Sequence, residues 1–151
     1  MLDRINAVPW GHYAQPEWNK PNSIAEALAK VVRADPGAYN SLLYAVGNNH
    51  AGTYYPVLLA VLPFLEEILH VGEPASQRVA LCVLDDLFAS FQPEPGFEEF
   101  DPPEGGTQRV EAAFKQRIHQ LGSVLDRIDS AGNSNSLLAS QLRQLLSEDA
   151  V

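Results

Sequence analysis

The segment that most constrains the fold is an almost unbroken apolar run, Tyr54 to Leu65, which follows a polar turn and ends at two glutamates. Pro56 and Pro63 interrupt it, and it is shorter than the roughly 20 residues needed to span a bilayer. The run predicts a helix from about Thr53 to Leu69 with almost no polar side, and Pro63 predicts a bend within it. Such a helix must be surrounded by other elements.

Length and composition set the class of protein. A chain of 151 residues is the usual size of one domain, so we expect residues 1–151 to form a single domain. With 46% apolar and 19% charged residues it is too apolar for a disordered chain. The lone cysteine, Cys82, excludes an internal disulfide. Residues 1–13, MLDRINAVPWGHY, contain charges and a proline but no apolar stretch of signal-peptide length. We therefore expect a cytoplasmic protein that does not enter a membrane.

Hydrophobic periodicity predicts six helices and no strand. Ser23 and Glu26 have the spacing of a capping box, and Asp35-Pro36 and Glu73-Pro74 each place an acid before a proline at a helix start. Together the helices make three helical hairpins. Their predicted spans are about 23–34, 35–47, 53–69, 73–91, 107–129 and a last helix with Leu138, Leu142 and Leu145.

Two segments fall outside the predicted helices. "QPEPGFEEFDPPEGG", residues 92–106, has four prolines, three glycines and five acids, which neither a helix nor a central strand accepts. Its Phe97 and Phe100 either pin this acidic loop to the body or face a partner. Residues 1–20 carry Trp10, Tyr13 and Trp18, and we expect them to cap the open end of the helical stack.

An internal repeat is visible in the first four helices. Asp35-Pro36 and Glu73-Pro74 lie 38 residues apart, and an offset of 37 aligns Leu28 with Leu65 in the helices that precede them. A period of about 40 residues built from two helices is the signature of HEAT or armadillo stacking.

Residues 48–69, "NNHAGTYYPVLLAVLPFLEEIL", and the run from Glu73-Pro74 through Arg78 and Ala80-Leu81 to Leu84 carry a family resemblance. Over residues 21–91 the chain resembles small bacterial HEAT-like helical-repeat proteins, although Tyr39 stands where an arginine is usual. The resemblance implies an all-α fold, namely a short right-handed α-solenoid of about three stacked helical hairpins. Some proteins of this group serve as immunity proteins of polymorphic toxin systems, and the resemblance implies a role of that kind.

The residues that could support catalysis are scattered. Glu67 and His70 have the Glu-x-x-His spacing of di-iron bundles, but no second copy of that motif occurs. The histidines have no zinc-site spacing, Cys82 sits among apolar neighbours, and no nucleophile elbow or phosphate-binding loop is present. We read His50 as a turn residue packed against a helix end. The sequence therefore predicts no catalytic residue, no cofactor, no metal and no enzyme.

Charge favours a basic partner. The net charge is −9, and residues 34–108 hold eleven acids against one base, Arg78. Such a segment disfavours nucleic acid and suits a cationic protein. If the acidic loop folds back over the fourth helix, it forms one partner-binding surface with two acids of that helix. The predicted surface is Asp85, Asp86, Glu94, Phe97, Glu98, Glu99, Phe100, Asp101 and Glu104.

Two functions remain open from sequence. The first is a cytoplasmic immunity protein that neutralises a cognate bacterial toxin. In this role we expect the chain to bind a basic toxin domain through the acidic surface. The alternative is a HEAT-like scaffold or adaptor subunit, in which the apolar helix 54–69 contacts a permanent partner. The oligomeric state does not follow from the sequence.

Overall fold

The computed structural model describes residues 1–102 and 105–149, and most of these residues are helical. A short 3₁₀ turn at Trp10–His12 lies between the first two α-helices. The described helices are α1 (Leu2–Ala7), α2 (Ser23–Arg33), α3 (Ala38–Val46), α4 (Val57–Val71), α5 (Pro74–Ser90), α6 (Val110–His119), α7 (Gly122–Ser130) and α8 (Ser136–Asp149).

Neighbouring helices pack in pairs, and the pairs share one hydrophobic core. Helix α2 packs on α3, α4 on α5, and α7 on α8, while the second helices of successive pairs, α3, α5 and α8, also contact one another in that order. Helix α4 contacts α2, α6 and α7 besides α5. Its apolar side chains are buried as the sequence predicts. The helical class is therefore correct.

Of the three helix starts for which the sequence predicts a capping signal, one is confirmed and two differ. Helix α5 begins at Pro74 with Glu73 as its N-cap residue, as predicted. Ser23 is the first residue of α2 and makes no capping box, because its hydroxyl accepts the Lys20 N–H instead. Helix α3 begins only at Ala38, because the preceding Gly37 has a positive φ of 79° that interrupts the helix.

Short strands are the main departure from the sequence expectation of none. The described residues contain β1 (Gly47–Asn48), β2 (Thr53–Tyr54), β3 (Gln92–Pro93), β4 (Glu99–Phe100) and β5 (Gln108–Arg109). Strand β2 pairs antiparallel with β1 and parallel with β3, and β4 pairs antiparallel with β5. Because β2 occupies the expected first turn of the third helix, α4 begins four residues later, at Val57.

The predicted helix over residues 107–129 is two helices. Helix α6 ends at His119, and the N–H groups of Gln120 and Leu121 then bond to carbonyls three residues back, which tightens the chain into a turn. Gly122 starts α7 and lies against the Arg143 side chain of α8, where a β-carbon would come within 2.9 Å of the guanidinium. Close packing with α8 thus accompanies the break.

The N-terminal segment packs on the helices that follow it. Ile5 and Trp10 are buried, and the Trp10 ring lies 6.1 Å from the Phe64 ring between centroids. Asn19 donates to the Ala45 carbonyl at the end of α3, at 2.8 Å. Within the described residues, no helix combines the length and apolarity needed to cross a bilayer.

Candidate functional site

A groove of about 380 Å³ crosses the second helices of the three pairs. We call it the acidic groove. One wall comes from α3, the floor from α5 and the other wall from α8. Its lining residues are Tyr39, Arg78, Val79, Cys82, Asp85, Asp86 and Leu138.

The spacing of residues along α5 explains why two carboxylates border this groove. Arg78, Cys82, Asp85 and Asp86 follow one another at intervals that keep them on the same side of a helix. The opposite side carries the apolar residues that fill the core. That side consists of Ala80, Leu81, Val83, Leu84 and Leu87.

Asp85 is the more confined of the two acids. Its partial burial raises the pKa of the carboxyl above its usual range, since burial penalises the charged form. No ion pair among the described residues includes Asp85 or Asp86. The groove therefore holds carboxylates whose charge is not neutralised by a described side chain.

Cys82 lies in the same groove, and its surroundings make it a poor nucleophile. Burial raises the pKa of the thiol, the negative charge of Asp85 raises it further, and Arg78 opposes this shift only in part. The thiolate is the reactive form of cysteine. At neutral pH Cys82 is thus a protonated, half-buried side chain that contributes apolar surface.

The acidic loop takes a different course from α5. Strand β3 pairs with β2, and the Thr53 hydroxyl donates a hydrogen bond to the Glu94 carboxylate. Phe97 stacks on Tyr55 with 4.8 Å between ring centroids. The loop therefore runs across the start of α4. These contacts differ from the predicted arrangement, in which the loop folds back over α5.

The remaining loop residues have local partners. Glu98 accepts the Gly96 N–H at 2.8 Å, and this bond lowers the pKa of its carboxyl. Asp101 accepts a hydrogen bond from the Thr107 hydroxyl at 2.7 Å, and the backbone of Glu99 is opposite that of Arg109 in the β4–β5 ladder.

The structure thus divides the predicted partner-binding surface into two groups. Asp85 and Asp86 line the acidic groove, whereas the acids and phenylalanines of the loop contact β2, Tyr55 and their own hairpin. Glu104 lies outside the described residues. The sequence identified both groups but not their separation, which depends on the pairing of β3 with β2.

A second groove, of about 660 Å³, was not anticipated from the sequence. Phe100 of the loop lines it together with Leu59, Pro63 and Phe64 of α4. Gln116 of α6 and Gln120, the residue that follows α6, form a polar border. We call it the glutamine groove. The sequence contained one related signal, since Pro63 interrupts the apolar run of α4 and is exposed in the structure.

The other sequence candidates do not converge on a site. His50 is exposed at the tip between β1 and β2, so its predicted packing against a helix end is wrong. Glu67 pairs with Arg4 at 2.5 Å, whereas His70 accepts from Arg127 at 3.1 Å. The described residues contain no group of three or more histidines, cysteines or carboxylates positioned for a metal ion.

Comparison with known proteins identifies no relative for this chain. It matches no protein-family model, and no curated protein or solved structure is similar enough to count as a match.

Proposed function

We propose that the chain is a protein-binding module that takes a basic protein partner in its acidic groove. The observation that carries the proposal is the placement of two carboxylates, Asp85 and Asp86, against one cation, Arg78, in a groove that Tyr39, Val79 and Leu138 also line. Carboxylates of this kind speed encounter with a cationic protein and select against acidic ones. The apolar walls offer the contacts from which most binding energy comes.

The state of Asp85 supports a cationic occupant. Its carboxyl is partly withdrawn from water and has no described ion-pair partner, which is a cost in the free protein. A lysine or arginine of a partner placed beside it would compensate for that cost. Binding a cation there is therefore more favourable than binding the same cation at a fully solvated acid.

We also propose that the helical pairs form a HEAT-like stack, a short right-handed α-solenoid. Successive contacts of α3 with α5 and of α5 with α8 are those expected when the second helices of consecutive repeats lie side by side. In such proteins the second helices form the concave binding surface. The acidic groove lies on that row of helices, which agrees with a binding role.

The most specific form of the proposal is a cytoplasmic immunity protein that neutralises a cognate bacterial toxin domain. Its support is the resemblance over residues 21–91, the concentration of acids between residues 34 and 108, and the protonated state of the Cys82 thiol, which disfavours nucleophilic catalysis. A basic toxin domain would suit the acidic groove. Nucleic acid would be repelled by the same carboxylates.

The test begins with capture of partners from the native cell lysate. One stoichiometric basic partner of toxin-like size supports the immunity role. With that partner purified, the variant Asp85→Lys/Asp86→Lys is expected to weaken binding at least tenfold and to reduce its dependence on salt. The control Asp129→Lys/Glu148→Lys changes the net charge equally at exposed sites of α7 and α8 and should bind normally. Equal affinity of both variants overturns the electrostatic role of the groove.

The loop requires its own variant because the structure separates it from the groove. Glu98→Lys/Glu99→Lys changes two exposed acids without altering the acidic groove. If this variant loses binding while Asp85→Lys/Asp86→Lys retains it, the interface is the loop and not the groove.

A scaffold or adaptor remains the second candidate. The apolar helix it relied on is covered by the chain's own core, because α4 buries most of its side chains. The exposed side of α4 nevertheless opens into the glutamine groove with Phe100. A multi-subunit complex in the lysate, with binding abolished by Phe100→Ala, would support this role in place of the first.

A further inference from the structure

A third pocket lies between α2, α3 and the N-terminal segment, away from the acidic groove. It is open to solvent and holds about 200 Å³, which limits the part of a ligand that can enter it. Pockets that hold drug-sized ligands measure about 300 to 1,000 Å³. A ligand that fits this pocket is therefore close to a single ring in size.

Two exposed aromatic rings form one side of the pocket. Trp18 and Tyr44 are 37% and 52% exposed, and their ring centroids are 5.2 Å apart at an interplanar angle of 37°. The Trp18 indole N–H donates to the Tyr44 carbonyl at 3.0 Å, which holds the pair together. Because the indole N–H is already used, the pair offers apolar ring surface to a ligand.

The other side of the pocket is polar and carries both charges. Ser23, Glu26 and Lys30 follow at helical spacing on α2, and Ser41 of α3 lies near them, with 3.4 Å between its hydroxyl and the Lys30 ammonium. These groups provide both donors and acceptors. A ligand with a single charge would meet one like charge, from Glu26 or from Lys30.

We propose that this pocket binds a neutral monosaccharide. A pyranose ring presents an apolar face of C–H groups to an aromatic ring and a rim of hydroxyl groups to polar side chains. Ser23, Glu26 and Lys30 each have one hydrogen-bond partner within the chain, and a purely apolar ring would cover their remaining donors and acceptors without satisfying them. The combination of an aromatic wall, a mixed-charge polar wall and a one-ring volume selects the sugar.

Tryptophan fluorescence provides a direct assay. The chain has two tryptophans, of which Trp10 is buried and Trp18 lines the pocket. Titration of the full chain with glucose, galactose and N-acetylglucosamine is expected to change the Trp18 emission saturably for at least one sugar, with a Kd in the millimolar range. Backbone amide NMR shifts from the same titration should cluster on α2 and α3.

Matched variants separate sugar binding from folding. Glu26→Gln changes an exposed group and Ser41→Ala a half-buried one, and each is expected to weaken sugar binding about tenfold while the amide spectrum keeps its folded dispersion. Asp129→Asn, at an exposed position of α7, serves as control and should bind the sugar normally. The proposal is overturned if none of the three sugars gives saturable shifts. It is also overturned if free glycine or lysine, which are charged and have no sugar ring, gives an equal response.

Discussion

The ring of Phe97 lies 4.8 Å from the ring of Tyr55, and this contact fixes the acidic loop to the start of α4. Phe97 is still 36% exposed, so one side of the ring faces the chain and the other faces solvent. Two contacts thus hold the loop: the packing of one face of Phe97 on Tyr55 and the pairing of β3 with β2. The acidic residues of the loop therefore lie on a segment that is attached to β2 and Tyr55.

Phe97→Ala tests that anchor. Loss of the aromatic pair and of the apolar contact should lower the free energy of unfolding by about 1–2 kcal/mol. Chemical denaturation measures the change, and Phe97→Tyr, which keeps the ring, should remain near the wild type. Equal stability of Phe97→Ala and the wild type would mean that the ring does not hold the loop.

Gly47→Ala is expected to be among the more damaging small substitutions. A β-carbon at this position would lie 2.0 Å from the Thr53 carbonyl oxygen, and backbone of a paired strand cannot move aside at low cost. We expect a loss of about 3 kcal/mol or more in the free energy of unfolding. Gly11→Ala is the control, because nothing lies within 4 Å of its β-carbon position. Similar stability of the two variants would contradict the predicted clash.

Asn135, the residue before α8, is buried and forms a hydrogen bond to the first residue of α5. Its side-chain NH₂ donates to the Pro74 carbonyl at 2.8 Å, while its Oδ1 has no partner among the described groups. Asn135→Ala should cost about 1–3 kcal/mol of unfolding free energy, because the hydrogen bond from its side-chain NH₂ to the Pro74 carbonyl is lost. Thermal unfolding checks this, with the exposed Asn49→Ala as control.

Asn135→Asp extends the test to pH. Burial raises the folded-state pKa of the introduced carboxyl above its unfolded value. The protonated form is tolerated at low pH, so the variant should lose stability relative to the wild type as pH rises through that folded pKa. A difference from the wild type that stays constant between pH 3 and pH 7 would argue against burial of the side chain (the range brackets a carboxyl pKa of roughly 4).

The ion pair of Arg4 with Glu67 ties α1 to α4. The hydrogen bond from Arg4 lowers the pKa of Glu67, so the pair contributes above the unfolded pKa and its contribution is lost as pH falls through the depressed folded pKa. The protection factors of the Leu2–Ala7 amides, which correct for the slower intrinsic exchange at low pH, should therefore fall in acid. Arg4→Met should show the faster exchange at neutral pH already. Exchange in that variant identical to the wild type would exclude a role for the pair in holding α1.

Asp85→Asn should stabilise the fold at neutral pH while weakening the binding of a basic partner. The raised pKa of Asp85 means that its ionised form costs stability, and this cost is fully present once pH exceeds the folded pKa. The neutral amide should thus make the protein slightly more stable at pH 7 and have little effect in acid, where the carboxyl is protonated. Thermal unfolding at both pH values measures the difference. A loss of stability at pH 7 would show that the carboxylate has a structural role.

Local sequence signals were sufficient for the positions of most helices. The start of α5 at Glu73-Pro74, the end of α2 near Ala34 and the burial of α4 follow from caps and periodicity, which act over a few residues. Asp85 and Asp86 were also selected from the sequence, as acids of the fourth predicted helix within a strongly acidic segment. These features require no knowledge of distant residues.

Tertiary structure decided the rest. Strands of two residues carry no periodicity, so the pairing of Thr53–Tyr54 with Gln92–Pro93 depends on chain segments far apart in sequence. That pairing directs the acidic loop across α4 and away from Asp85. The break after His119 likewise accompanies packing of Gly122 against Arg143. Local propensity determines which residues become helical, whereas contacts between distant segments determine which side chains share a groove.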